Sequence, residues 1–417
     1  MAAKSFDFLE LKLDIMGRPL STALVVAWNI VAVVALLAGV EFTARMIQCH
    51  RIGGDIRQSI ELRDRYAVWR NNPSFHDAFA RHNREGFRRD EDTPLEKAPN
   101  NVRVFVLGAS TAYGAGSLYP DVEGTPPQPR NDQTISYYLG KELNARFPSR
   151  RWEVVNAAVP AHRLHQELAL LLSRVLRYHP DYVICIDGVN DMRAILNAAE
   201  NYDPYRIDDR QVEFDLLANP ASFASLKAFA SVWLRRESAL VHAVQDWSTE
   251  RRRARYVAQT SLTGPLREPV TWDDLTAAEQ RQYGIGAAHL ESYVREIRQI
   301  HAILDLDHVQ GLFVLQPHII LTRKPMAGTE PRLRELTHRR EGNLYVYGIA
   351  TLYPKLADAL EADGAVAGYR FANLIDTFDT VQTQAFTDYC HLTPEADRVM
   401  AERIFDSLSD SFAARAR

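Results

Sequence analysis

A three-layer α/β/α fold built on a five-stranded parallel sheet is predicted by three observations. Five short runs rich in Val, Ile, Leu or Phe recur near residues 102–108, 152–157, 181–187, 309–316 and 371–376. Stretches with helical spacing separate them, and several runs stop at small or polar residues rather than at two-residue hairpin turns. Alternation of this kind gives parallel strands with helices on both faces.

The elements follow in order. Leu168, Leu171, Leu172, Val175 and Leu176 share one helical face, as do Leu290, Val294, Ile297, Ile300 and Leu304. The rhythm corresponds to a flavodoxin-like sheet. It is interrupted at residues 194–288, read as a mainly helical insertion holding Trp233, Trp247, Trp272 and the run Arg251-Arg252-Arg253-Ala254-Arg255. An insertion after the third strand is placed to form a lid or substrate wall, or else to decorate the sheet from outside.

Ahead of the sheet, the uncharged stretch Pro19 to Val40 predicts a transmembrane helix over residues 21–42, behind a polar segment at 1–20. As a helix it spans about 30 Å, the thickness of a bilayer core. A secretory signal has a shorter apolar region of about 7 to 15 residues and a small-x-small cleavage site, so an anchor is the better reading. Residues 43–100 read as a helical stalk and lead-in loop. Lys4, Lys12 and Arg18 before the span are matched by Arg45, Arg51 and Arg57 after it, so charge does not orient it.

Composition is that of a globular protein, with 46% hydrophobic and 24% charged residues. With 49 Lys plus Arg against 53 Asp plus Glu, no basic excess points to nucleic acid. Three widely spaced cysteines, Cys49, Cys185 and Cys390, form neither a disulfide framework nor a metal-ligand pattern. No phosphate loop is present, since Gly114-Ala115-Gly116 lacks the Lys and Ser/Thr such a loop needs.

Four blocks carry chemistry. The run Val102 to Gly116 ends its strand in Gly108-Ala109-Ser110 and so places a serine at the ligand-bearing edge of the sheet. Thr387-Asp388-Tyr389-Cys390-His391 supplies what a serine lacks, an imidazole to take its proton and a carboxylate to orient that imidazole. Trp152 to Ala161 runs through Asn156-Ala157-Ala158, and Tyr182 to Asp191 ends in Asp187-Gly188-Val189-Asn190-Asp191. Small residues and an Asn amide are suited to donate to a developing oxyanion. Beyond the fourth strand, Gln316 and His318 stand at the same edge as candidate substrate contacts.

In their order and strand context, these four blocks resemble the SGNH (GDSL-like) hydrolase family, over roughly residues 101–412 with an unmatched middle. The resemblance implies Ser110 as nucleophile, His391 as general base and Asp388 as its orienting acid. It implies an oxyanion hole from the N–H groups of Ser110 and Ala158 and the Asn190 side chain. Two departures stand out, Ala109 where the family has Asp and Ala158 where it has Gly.

The expectation is therefore a membrane-anchored serine esterase or acyl transferase without metal or cofactor. Its substrate would be an ester of a lipid or envelope glycan, with the large domain outside the cytoplasm by analogy with anchored members. The alternatives are a catalytically silent scaffold of an envelope complex, or a phosphatase or nucleotide-binding protein of similar fold.

Overall fold

A computed structural model describes residues 22–52, 60–73, 75–119, 122–198 and 269–417, with Ser238, Leu240, Val241 and Val244. Trp233, Trp247, the arginine run at 251–255 and most of the expected insertion lie outside the described residues. The chain divides into two compact units, residues 1–57 with 219–259, and residues 58–218 with 260–417.

In the first unit, helix α1 (Thr22–Ile52) contains Leu24–Ile47, a stretch long and apolar enough to cross a membrane by length and composition. Trp28 and Leu36 are about two-thirds exposed, as a helix without a protein partner on those faces would be. Glu41 accepts from Ser238 Oγ at 2.7 Å and from Leu240 N at 3.1 Å.

The second unit opens with an antiparallel hairpin, β1 (Glu61–Asp64) and β2 (Val68–Asn71). Asp64 Oδ1 accepts from the N–H groups of Tyr66 and Ala67 and so closes the turn. The expected helical stalk and lead-in loop over residues 43–100 is corrected in part here. Helix is described as far as Ile52, and the hairpin at residues 61–71 is sewn to the sheet domain. Gln166 Nε2 donates to the Ala67 carbonyl at 3.0 Å, and Trp69 Nε1 to that of Pro160 at 3.1 Å. Buried Phe87 and Arg88 continue the packing.

The main sheet contains β3 (Asn101–Gly108), β4 (Arg151–Asn156), β5 (Tyr182–Asp187), β6 (Gln310–Leu315) and β7 (Arg370–Asn373), in the order β4-β3-β5-β6-β7 and all parallel. All six β5 side chains are buried, as are Val102 to Gly108 of β3, the continuous apolar signature of strands covered on both faces. The five predicted strands stand where their apolar runs are.

Around the sheet lie α2 (Ser110–Tyr113), α3 (Ile135–Arg146), α4 (Leu164–Leu170), α5 (Val189–Leu196), α6 (Ala277–Ala288), α7 (Leu290–Leu306), α8 (Glu330–Ala367) and α9 (Pro394–Ala416). Helix α3 packs on α9, while α7 packs on α4 and α8, giving the two helical layers that right-handed crossovers produce. The strand order reverses at β3, so the carboxyl ends of β3 and β5 flank the crevice where such sheets bind ligands. Ser110 and Asn190 follow those two strands.

Candidate active site

The loop before α9 builds the most completely bonded side-chain pair in the site. His391 Nδ1 lies 2.6 Å from Asp388 Oδ2. Asp388 Oδ2 also accepts from Leu118 N at 2.7 Å, and Oδ1 accepts from Cys390 N at 2.9 Å and His391 N at 2.8 Å. Burial alone would raise this carboxyl, but the His391 charge and these N–H donors hold it below the usual carboxylate range. Asp388 is therefore an anion at neutral pH, and it fixes the imidazole so that Nε2 is the free nitrogen. That Nε2 is buried with no hydrogen-bond partner.

A second shell of contacts fixes the loop. Thr387 N donates to the His391 carbonyl at 2.8 Å, closing a narrow turn. Glu330 Oε1, itself buried against Lys324, accepts from Ala385 N and Phe386 N at 2.8 and 3.1 Å. Asp388, Cys390 and His391 stand close enough to suggest metal ligands. Four N–H donors already occupy the Asp388 oxygens, however, and burial pushes the Cys390 thiol up, so it is a poor thiolate.

Ser110, half-buried, is the first residue of the four-residue helix α2. The preceding Gly108 has φ +142°, and a Cβ there would come within 2.5 Å of both Ala112 Cβ and the Ile186 carbonyl oxygen. Only glycine permits strand and helix to meet so closely. The carbonyls at the end of this short helix are satisfied from elsewhere. Arg88 Nη1 donates to those of Tyr113 and Gly114, each at 2.7 Å, and Asn156 Nδ2 to those of Ala112 and Tyr113, each at 3.2 Å.

Thr111 Oγ1 then donates to the Cys390 carbonyl at 3.2 Å. The residue after the serine thus touches the residue before the histidine. The two blocks, some 280 positions apart in sequence, meet at one edge of the sheet.

The block after β4 differs from expectation. Ala158 is fully buried, its N–H donates to Asn156 Oδ1 at 3.2 Å, and its carbonyl is held by Asn71 Nδ2 at 2.9 Å. Ala158 is therefore not an open donor. Three residues later, Ala161 is exposed and adopts φ +59°, a left-handed conformation that costs an alanine about 1 kcal/mol. Its N–H has no acceptor among the described residues, and Ala161 lines a pocket of about 310 Å³ together with Trp69, Arg163, Asn190, Arg193, Ala194 and Asn197.

Asn190 Nδ2 spends one hydrogen on the His162 carbonyl at 2.9 Å, which leaves the second amide hydrogen for a ligand. Ser110 N–H, at the start of its helix, has no acceptor among the described residues either. The available donors are thus Ser110, Ala161 and Asn190.

No protein-family model and no curated protein matches this chain. Among solved structures it is similar to LAE5, an alpha/beta hydrolase enzyme from the metagenome of Lake Arreo, Spain, at 14% identity and a TM-score of 0.36, covering 76% of this chain and 97% of that one. It is similar also to Axe2, an acetylxylan esterase from Geobacillus stearothermophilus, at 10% identity and a TM-score of 0.35, covering 74% and 94%. A catalytic mutant of Axe2 matches at 9% identity and a TM-score of 0.38 over the same shares. Likenesses this small carry no weight on activity. The geometry of the site has to carry it.

Two sequence candidates turn inward. Gln316 is buried and donates to Thr111 Oγ1 at 2.9 Å. It braces the contact between the serine and histidine blocks instead of facing substrate. His318 is fully enclosed, with Nε2 3.2 Å from Tyr345 Oη and Nδ1 accepting from Ile320 N at 3.1 Å; burial lowers it to about 3, so it stays neutral.

Sequence reasoning missed Trp69, Arg88 and Ala161, whose roles depend on a hairpin, a buried charge and a positive φ. It also missed a buried acidic group behind the crevice, formed by Glu167, Asp187, Asp191 and Glu296. Burial raises all four, Asp191 to about 6 and Glu296 to about 8.

Proposed function

We propose that this chain is a membrane-anchored serine esterase or acyl transferase that works through an acyl-Ser110 intermediate. His391 Nε2 takes the Ser110 proton as the hydroxyl attacks an ester carbonyl, and Asp388 stabilises the resulting imidazolium. The N–H groups of Ser110 and Ala161 and the Asn190 amide receive the oxyanion. His391 then returns the proton to the leaving alcohol, and water or a second hydroxyl resolves the acyl-enzyme. Hydrolysis and transfer share the first half of this sequence.

The observation that carries the reading is the Asp388–His391 pair. It has a fully bonded carboxylate, a fixed tautomer and an unpartnered Nε2, one residue away from the carbonyl gripped by the serine's neighbour. The apolar helix at Leu24–Ile47 supports the anchor.

One observation favours a catalytically silent scaffold instead: neither Ser110 Oγ nor His391 Nε2 makes a hydrogen bond among the described residues. Nucleophile–base contacts are commonly loose before substrate enters, and a live assay separates the readings. Detergent-solubilised protein should hydrolyse 4-nitrophenyl acetate, and Ser110→Ala should lose about 10⁴-fold or more of kcat. Equal turnover by both proteins would refute the assignment.

A further inference from the structure

The pocket beside the oxyanion donors has a composition that selects its occupant. Of its seven lining residues two are arginine and two asparagine, and none is acidic. Its volume of about 310 Å³ is at the small end for ligand pockets. A long fatty acyl chain would find little room there.

One of the two cations is held in place by several contacts. Arg193 pairs with Glu341 at 2.9 Å, and its guanidinium lies over the rings of Tyr345 and Tyr389, 5.0 and 5.2 Å from their centroids. Tyr389 belongs to the loop that carries His391, so the cation is fixed between the pocket and the catalytic loop. Arg163 is the second cation on the pocket wall, and no acidic residue shares that wall with it. A ligand in the pocket therefore meets two arginines and no carboxylate. Pre-fixed guanidinium groups recognise carboxylate and phosphate oxygens with little ordering cost.

Building on the esterase reading, we propose that this pocket takes an ester bearing an anionic group of the carboxylate or phosphate type on its acyl or its alcohol portion. The substrate would be a short, charged ester, such as an acylated acidic glycan, and not a neutral lipid.

The test uses binding, so it does not depend on turnover. The Ser110→Ala protein is titrated with monomethyl succinate, whose charge is on the acyl side, and with acetoxyacetate, whose charge is on the alcohol side. The neutral controls are dimethyl succinate and methyl acetoxyacetate, and Trp fluorescence and calorimetry give Kd. At least one anion should bind about fivefold or more tightly than its neutral ester, and the preferred anion identifies the charged side.

Asn197 is exposed at the pocket rim. Asn197→Asp should weaken the preferred anion about fivefold, Asn197→Lys should strengthen it, and added salt should shrink both changes. Anions and neutral esters bound alike in all three proteins would overturn the proposal, even if 4-nitrophenyl acetate turnover by the wild type upheld the esterase reading.

Discussion

Asp388 and Asp187 are both buried carboxyls at the carboxyl edge of one sheet, and their surroundings push them in opposite directions. Three backbone N–H groups and the His391 ring nitrogen Nδ1 reach Asp388. Among the described residues, no N–H reaches either oxygen of Asp187. Its neighbours are Glu167 and Asp191, also acids, and burial raises it well above the carboxylate range. Burial alone does not decide the charge of a carboxyl; the donors supplied with it do. In this molecule, N–H donors are concentrated on the histidine loop, and Asp187, buried among other acids without them, is pushed up.

The largest expected effect probes the ionised side. Asp388→Asn keeps the shape but removes the anion that selects the tautomer, so kcat on an activated ester should fall about 10⁴-fold with KM changed little. A loss of less than tenfold would mean that Asp388 only shapes the loop. Next in size, Asn190→Ala removes one of the proposed oxyanion donors, and kcat should drop about 10²- to 10³-fold. Steady-state kinetics with unchanged circular dichroism would read both.

The neutral side should show itself in stability. Glu296 is raised to about 8 in the folded protein from an ordinary value of 4.5. Between those values the folded state holds a proton that the unfolded state has released. Its contribution is therefore fully present below about pH 4.5 and is lost as pH rises through about 8. Glu296→Gln should flatten the fall in urea midpoint over that window. A wild-type slope left unchanged would show that Glu296 titrates normally.

The smallest effect is expected at Asp187→Asn, which replaces a neutral acid by a neutral amide of the same shape. Unfolding free energy should change by about 1 kcal/mol or less, and kcat by no more than a few-fold. A collapse of activity like that of Asp388→Asn would erase the contrast between the two carboxyls.

Much of this architecture was legible in the residues. Strands buried on both faces must be written as continuous apolar runs, so Tyr182–Asp187 and Asn101–Gly108 announced themselves. Asp388 and His391 were legible because their pairing is local, within one turn.

What stayed hidden depends on distant partners. The hairpin at Glu61–Asn71 is short and charged, and it is stabilised by Gln166 and the Pro160 carbonyl, far along the chain. Arg88 reads as a surface residue until the carbonyls of Tyr113 and Gly114 surround it. Ala158 and Ala161 are the same residue type, and only the backbone, closed at one and left-handed at the other, separates a sealed N–H from an open one. Gln316 and His318 were placed at the correct edge, but a strand end does not specify whether the next side chain faces substrate or core.

The central claim is that Ser110 is a nucleophile activated by the Asp388–His391 pair. Its most direct test is a fluorophosphonate reaction on the detergent-solubilised full chain, with the adduct located by peptide mass spectrometry. A single adduct on Ser110 is expected, slowed by orders of magnitude in His391→Ala and absent in Ser110→Ala. A folded protein that takes no label, or takes it at another residue, would contradict the account.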